Sequence, residues 1–232
     1  MTGIVIAGPS TRETFTDVFQ GSSITVSWVG DPAAAGAYVT AAQRRAADNA
    51  TPAAAAADFV LDLDFSPEPL HIAALAALPI PLILVNAVST PLHLLGSDPR
   101  FARINAWNTF LQRPLAEVVA APSLIDAVTA FCTAWGKTPE FLPDLPGMPS
   151  ARVVSMIVNE AYLAWGQGVS TREAIDVAMR LGTNYPLGPF EWGTRIGLSH
   201  ICELLEALAQ DNPLYSIAPG LREEALAHGP AA

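Results

Sequence analysis

The chain has 232 residues, 51% of them hydrophobic, which is enough to bury a core in one large domain or two small ones. A net charge of −10 with only 12 Lys+Arg leaves no cationic cluster for a nucleic acid or an anionic membrane surface, so small molecules or proteins are the expected partners. Cys132 and Cys202 are too few for a disulfide framework and read as reduced core thiols.

Met1-Thr-Gly-Ile-Val-Ile-Ala carries no basic n-region, and the apolar stretch Ile72 to Val88 is broken by Pro79 and Pro81. Neither a secretory leader nor a spanning helix is expected, and the cytoplasm is the default location. Gly3 to Ala7 reads as a strand ending at Gly8-Pro9-Ser10, after which Phe15, Val18 and Phe19 mark one face of a helix over Thr11 to Phe19. Strands at Ile24–Val29, Phe59–Leu63 and Pro81–Val85 then alternate with helices at Ala33–Ala47 and Leu70–Ala77. That alternation predicts a parallel sheet with covering helices. Alanine runs at 33–35 and 53–57 are filler. Ile104 and Leu115–Val119 add strand material, and Leu124–Trp135 a helix. Three prolines and a glycine in Pro143-Asp-Leu-Pro-Gly-Met-Pro149 interrupt both periodicities and divide the chain into domains at 1–145 and 146–232. Beyond that point only helices are expected. One runs from Ser150 to Gly166, and a second, ending at Leu181, has Ser170 as N-cap and Glu173 at its third position. Asn184-Tyr-Pro-Leu-Gly-Pro-Phe-Glu-Trp192 then makes a stiff corner into a helix beginning near Glu191.

Lys137-Thr138-Pro139, Pro146-Gly147, Asn159-Glu160-Ala161 and the Asn184 to Glu191 corner occur in the order and at the spacing of 3-hydroxyacyl-CoA dehydrogenases, which the chain resembles over residues 81 to 228. It is most similar to the second half of two-repeat 3-hydroxybutyryl-CoA dehydrogenases. The implied fold class is α/β: a reduced Rossmann-like parallel sheet domain followed by an all-α C-terminal-type domain, which in the family dimerises. The implied chemistry is hydride transfer from a 3-hydroxyacyl-CoA to NAD, with a histidine base oriented by a glutamate twelve residues later. Function must still be argued at the site.

At the aligned positions Glu117 is retained, but Asn105 stands where the base belongs, and an amide cannot accept that proton. Ala151 replaces a family asparagine, and Ser89 matches a family serine after the fourth strand. Glu117 is either a remnant of the catalytic pair or a solvated or locally paired residue near a strand end. Of the glycine fingerprint in the first βα turn only Gly8 remains; Pro9 has no N–H, and Glu13 places negative charge near the pyrophosphate position. Asp31 is a candidate ribose ligand, although the aligned position is Val29. The stretch from Asp31 to Phe59 is too short for the family's CoA-cradling helical arm. Trp107, Trp165 and Trp192 read as core or interface anchors, and the four dispersed histidines give no metal site.

These positions together imply a catalytically degenerate relative with no cofactor, acting as a dimeric scaffold or accessory subunit that retains weak acyl-CoA binding. Its partners would be a second copy, through the helical domain, or a full-length dehydrogenase. The alternative is an active NAD-dependent 3-hydroxyacyl-CoA dehydrogenase that uses an unusual base or a partner chain.

Overall fold

Seven strands form one sheet in a computed structural model that describes residues 1–48 and 57–228; of the alanine run at 53–57, all but Ala57 lies outside them. The strands are β1 Thr2–Ile6, β2 Thr25–Val29, β3 Phe59–Asp62, β4 Ile83–Val85, β5 Phe101–Ile104, β6 Leu115–Ala120 and β7 Thr138–Phe141, in spatial order β2-β1-β3-β4-β5-β6-β7. β1 to β5 are parallel, as the alternating pattern predicts, whereas β6 runs antiparallel to β5 and β7 parallel to β6. β7 was not expected. Thr-Pro-Glu-Phe has little apolar signal, and Pro139 is tolerated because β7 is an edge strand that needs fewer ladder donors.

Alternation along the strands divides the core into two layers. Val5, Leu61, Leu84 and Ile104 pack with Phe15, Phe19, Phe131 and Trp135, the last two from α4 (Ile125–Trp135). Ile4, Ile6, Val60 and Ile83 point the other way, against Ala35 and Val39 of α2 (Pro32–Asp48) and Leu75 of α3 (Pro69–Ala76). The first helix, α1, spans Pro9–Phe15 rather than Thr11 to Phe19. Proline fits the first helical position, so the helix begins earlier. It also ends earlier, and Phe19 reaches the core from a turn, stacked on Trp135 at 4.6 Å.

The chain separates into two compact units, one comprising Met1–Ala106 with Phe110–Leu145, the other Trp107–Thr109 with the residues from Pro146 onward. The second unit is helical: α5 Pro149–Gly166, α6 Arg172–Thr183, α7 Pro189–Ile196, α8 Leu198–Ala209 and α9 Pro219–His228. The cap of α6 is Thr171, whose hydroxyl accepts from the Ala174 N–H at 3.2 Å, so Ser170 is not the N-cap and Glu173 is one position earlier than expected. α7 starts at Pro189, two residues before Glu191.

Local contacts set the corner between α6 and α7. Asn184 ends α6 in the left-handed region, at φ 58°. Asp176 of α6 reaches across the corner and accepts from the Phe190 N–H at 2.8 Å and the Glu191 N–H at 3.2 Å, capping α7 from outside. A Cβ at Gly188 would lie 2.2 Å from the Asp176 Cγ, so only glycine fits. Tyr185 rests on Trp192 with ring centroids 5.6 Å apart.

Candidate active site

The end of β5 and the third residue of β6 bring two of the sequence-predicted positions into contact. Asn105 follows β5 and donates its side-chain Nδ2 to Glu117 Oε2 at 2.8 Å, while its backbone N–H donates to the Glu117 carbonyl at 3.0 Å. Both side chains are buried, at 4% and 7% exposure, so Glu117 is a paired and not a solvated residue. The antiparallel β5–β6 register creates this pairing, with Ile104 opposite Val118. A carboxylate within hydrogen-bond distance of position 105 is what an orienting glutamate requires. The group it orients is an amide, which has no basic nitrogen to take a proton.

Asn86, after β4, joins the neighbouring strand ends: it donates to the Leu63 carbonyl at 3.1 Å and accepts from the Ala106 N–H at 3.0 Å. Ser89 is half-buried in the segment that follows. Ala151 belongs to α5 of the helical unit and is fully buried, presenting a methyl group where the aligned asparagine would present an amide.

Gly8 and Asp31 lie beyond the ends of β1 and β2. Asp31 accepts from the Ala34 N–H at 2.7 Å, so its carboxylate serves the first turn of α2. The Gly8 N–H donates to Asp64 Oδ2, and the Thr11 hydroxyl donates to Asp64 Oδ1 at 2.6 Å. Asp64 follows β3, the strand beside β1, at the place where the strand order reverses and a dinucleotide would sit. A pyrophosphate there needs free N–H donors on a glycine-rich turn. Here the Gly8 donor is engaged by a carboxylate and Pro9 has none, so the corner does not fit the group.

Sequence reasoning missed two further polar residues of this sheet. Arg103 is fully buried, donating Nε to the Ala87 carbonyl at 2.7 Å, Nη2 to the Val88 carbonyl at 2.8 Å, and Nη1 to Asp144 Oδ1 at 2.8 Å and the Leu145 carbonyl at 3.0 Å. Burial lowers its basicity and Asp144 opposes that shift. Asp62, also fully buried, meets His71 Nε2 at 2.6 Å. Burial raises the Asp62 carboxyl, and the bond to Asp62 raises His71. An alternating strand pattern with one charged residue gives no hint of these partners; the only signal was the charge itself inside an apolar strand.

In the helical unit, Val153, Met156, Ile157, Ile175, Met179 and Tyr185 line an open groove of about 620 Å³. Arg172 lies over the Trp165, Phe190 and Tyr162 rings, 4.3, 4.9 and 5.1 Å from their centroids, and pairs with Glu224. Trp165 packs under Arg172 while staying 39% exposed, and Trp192 is buried against Tyr185. Cys132 and Cys202 are buried free thiols, each pushed up to about 11 by desolvation. Among the described residues no cluster of His, Cys, Asp and Glu could hold a metal ion.

Residues 147–229 match the model of the 3-hydroxyacyl-CoA dehydrogenase C-terminal domain. Over those residues the chain carries the C-terminal domain of the 3-hydroxyacyl-CoA dehydrogenase family. It is 51% identical over 73 residues to a 3-hydroxyadipyl-CoA dehydrogenase of Escherichia coli K12, a match covering 32% of this chain and 15% of that protein. A probable 3-hydroxybutyryl-CoA dehydrogenase of Deinococcus radiodurans is 32% identical over 152 residues, covering 61% of this chain and 55% of its own. The matches thus span about half or less of these curated relatives. For the fold, the crystal structure of (S)-3-hydroxybutyryl-CoA dehydrogenase from Ralstonia eutropha superposes with a TM-score of 0.70 at 24% identity, over 98% of this chain and 93% of that one. This 3-hydroxyacyl-CoA dehydrogenase relative therefore keeps the family's α/β sheet and helical domain while presenting Asn105 beside Glu117.

Proposed function

We propose that this member of the 3-hydroxyacyl-CoA dehydrogenase family is catalytically degenerate and acts as a dimeric scaffold or accessory subunit with weak acyl-CoA affinity. The observation that carries the reading is the Asn105–Glu117 pair: the orienting carboxylate is in place and the group beside it cannot accept the hydroxyl proton. The engaged turn at Gly8 supports the same conclusion, because hydride transfer also needs the dinucleotide. No helix among the described residues is long and apolar enough to cross a membrane, and we place the chain in the cytoplasm beside other acyl-CoA enzymes.

The partner is a second copy or a full-length dehydrogenase, met through the groove between α5 and α6. α6 supports this choice, since it buries none of its own side chains although Ile175 and Met179 lie along it. The purified protein, incubated with NADH and acetoacetyl-CoA, is expected to leave both unchanged and to bind NADH without saturation. Turnover by the protein alone would establish the alternative, an active NAD-dependent 3-hydroxyacyl-CoA dehydrogenase with an unusual base; turnover only after addition of a full-length dehydrogenase that is itself inactive would establish a shared site.

A further inference from the structure

We infer that Asp64 is an internal ligand of the β1–α1 corner, and that this contact helps to keep a dinucleotide out. The inference rests on the reading that the chain binds no NAD, and supplies its cause. Asp64 uses both carboxylate oxygens, one on the Gly8 N–H and one on the Thr11 hydroxyl. Its own N–H donates to Asp62 Oδ1 at 3.2 Å, which fixes the turn after β3 that carries it. A Cβ at Gly8 would meet Asp64 Oδ2 at 3.2 Å, so the carboxylate lies against the open face of the single remaining glycine. That face is the surface a pyrophosphate must approach.

Two effects act against an incoming phosphate. It must displace an acceptor tethered to the same sheet, and it must tolerate that carboxylate's charge nearby. Hydrogen bonds from neutral donors to a charged acceptor are among the stronger ones, so removing the competitor raises the apparent affinity of the corner by about tenfold even with partial solvent screening. Pro9 and Glu13 remain, which sets a low ceiling on the affinity reached.

The test is NADH binding, followed by its fluorescence, to the full chain and to D64N and D64S. D64N keeps the side-chain shape and removes the charge; D64S removes the reach as well. D58N is the control, because Asp58 accepts from the Thr2 N–H at 2.7 Å between the same two strands but at their other end. The expected order of NADH affinity is D64S above D64N above wild type, with about tenfold between the extremes and D58N equal to wild type. Equal affinity in all four proteins, or equal absence of binding, overturns the inference and leaves the degenerate reading standing. Tight NADH binding by the wild type sinks the degenerate reading and this inference together. Hydrogen exchange of the wild type gives a reading without substitution: the Gly8 amide is expected to be protected like its β1 neighbours, and exchange at the open-chain rate overturns the contact.

Discussion

Position 105 concentrates the functional question in one side chain. N105H would place an imidazole beside Glu117, and on the proposed reading the engaged turn at Gly8 still leaves it without a hydride acceptor. The expected result is no NAD-dependent oxidation of 3-hydroxybutyryl-CoA, and measurable turnover in that single variant would show that the turn is open. Arg103 is the residue on which the sheet's interior depends most. R103M leaves the Ala87, Val88 and Leu145 carbonyls and Asp144 without their cationic donor, a loss expected to cost about 3 kcal/mol in urea unfolding. His71 gives a pH signature. Its folded-state basicity is raised by Asp62, so its stabilising contribution is complete below the unfolded value near pH 6.5 and is lost as pH rises through the folded value. The raised Asp62 carboxyl has the same sign, favouring the folded state towards acid. Melting temperatures of wild type and H71Q are expected to differ more at about pH 6 than at alkaline pH. The retained Glu117 and the substituted Asn105 were legible by alignment of motifs. Asp64, Asp62 and Arg103 were not, because their partners come from strands and turns distant in the chain, and a single sequence does not reveal which loops share a sheet end.

Among the elements, those with strong periodicity were legible and those built by long-range contacts were not. β1 to β4 and α5 follow from apolar runs or a helical repeat. β7 is held by pairing with β6 and has almost no signal of its own. The start of α7 was misplaced for a related reason: its cap is Asp176, thirteen residues before the helix begins, so no local pattern marks it. This arrangement predicts a specific coupling. D176A should cost about 1 kcal/mol by uncapping the Phe190 and Glu191 amides. G188A should cost more, because its Cβ would collide with the Asp176 side chain. With that side chain gone the collision disappears, so D176A/G188A is expected to be less destabilised than the sum of the single variants. Strict additivity in urea unfolding would mean that Gly188 is required for its backbone alone.

At the scale of the whole molecule, two structural requirements have separated. The sheet and helical units have the fold of a 3-hydroxyacyl-CoA dehydrogenase, and three polar groups singled out in the sequence have internal partners: Glu117 has Asn105, the Gly8 N–H has Asp64, and Asp31 has the first turn of α2. A domain that retains its scaffold under those conditions is expected to be used for assembly. The groove lined by Ile157, Ile175 and Met179 is the surface that assembly would cover, because an apolar face left open to water favours association. Sedimentation equilibrium at micromolar concentration is expected to give twice the 24.4 kDa chain mass. A charge placed on the contact, as in M179D, should return the mass to that of one chain while circular dichroism stays unchanged, since Met179 is not among the buried residues of α6. The melting temperature of the wild type should rise with protein concentration and that of M179D should not. A wild type that remains monomeric across this range, with a melting temperature independent of concentration, would leave a heterologous partner as the only assembly the groove could serve, and mixing with an intact full-length dehydrogenase would then decide whether it serves any.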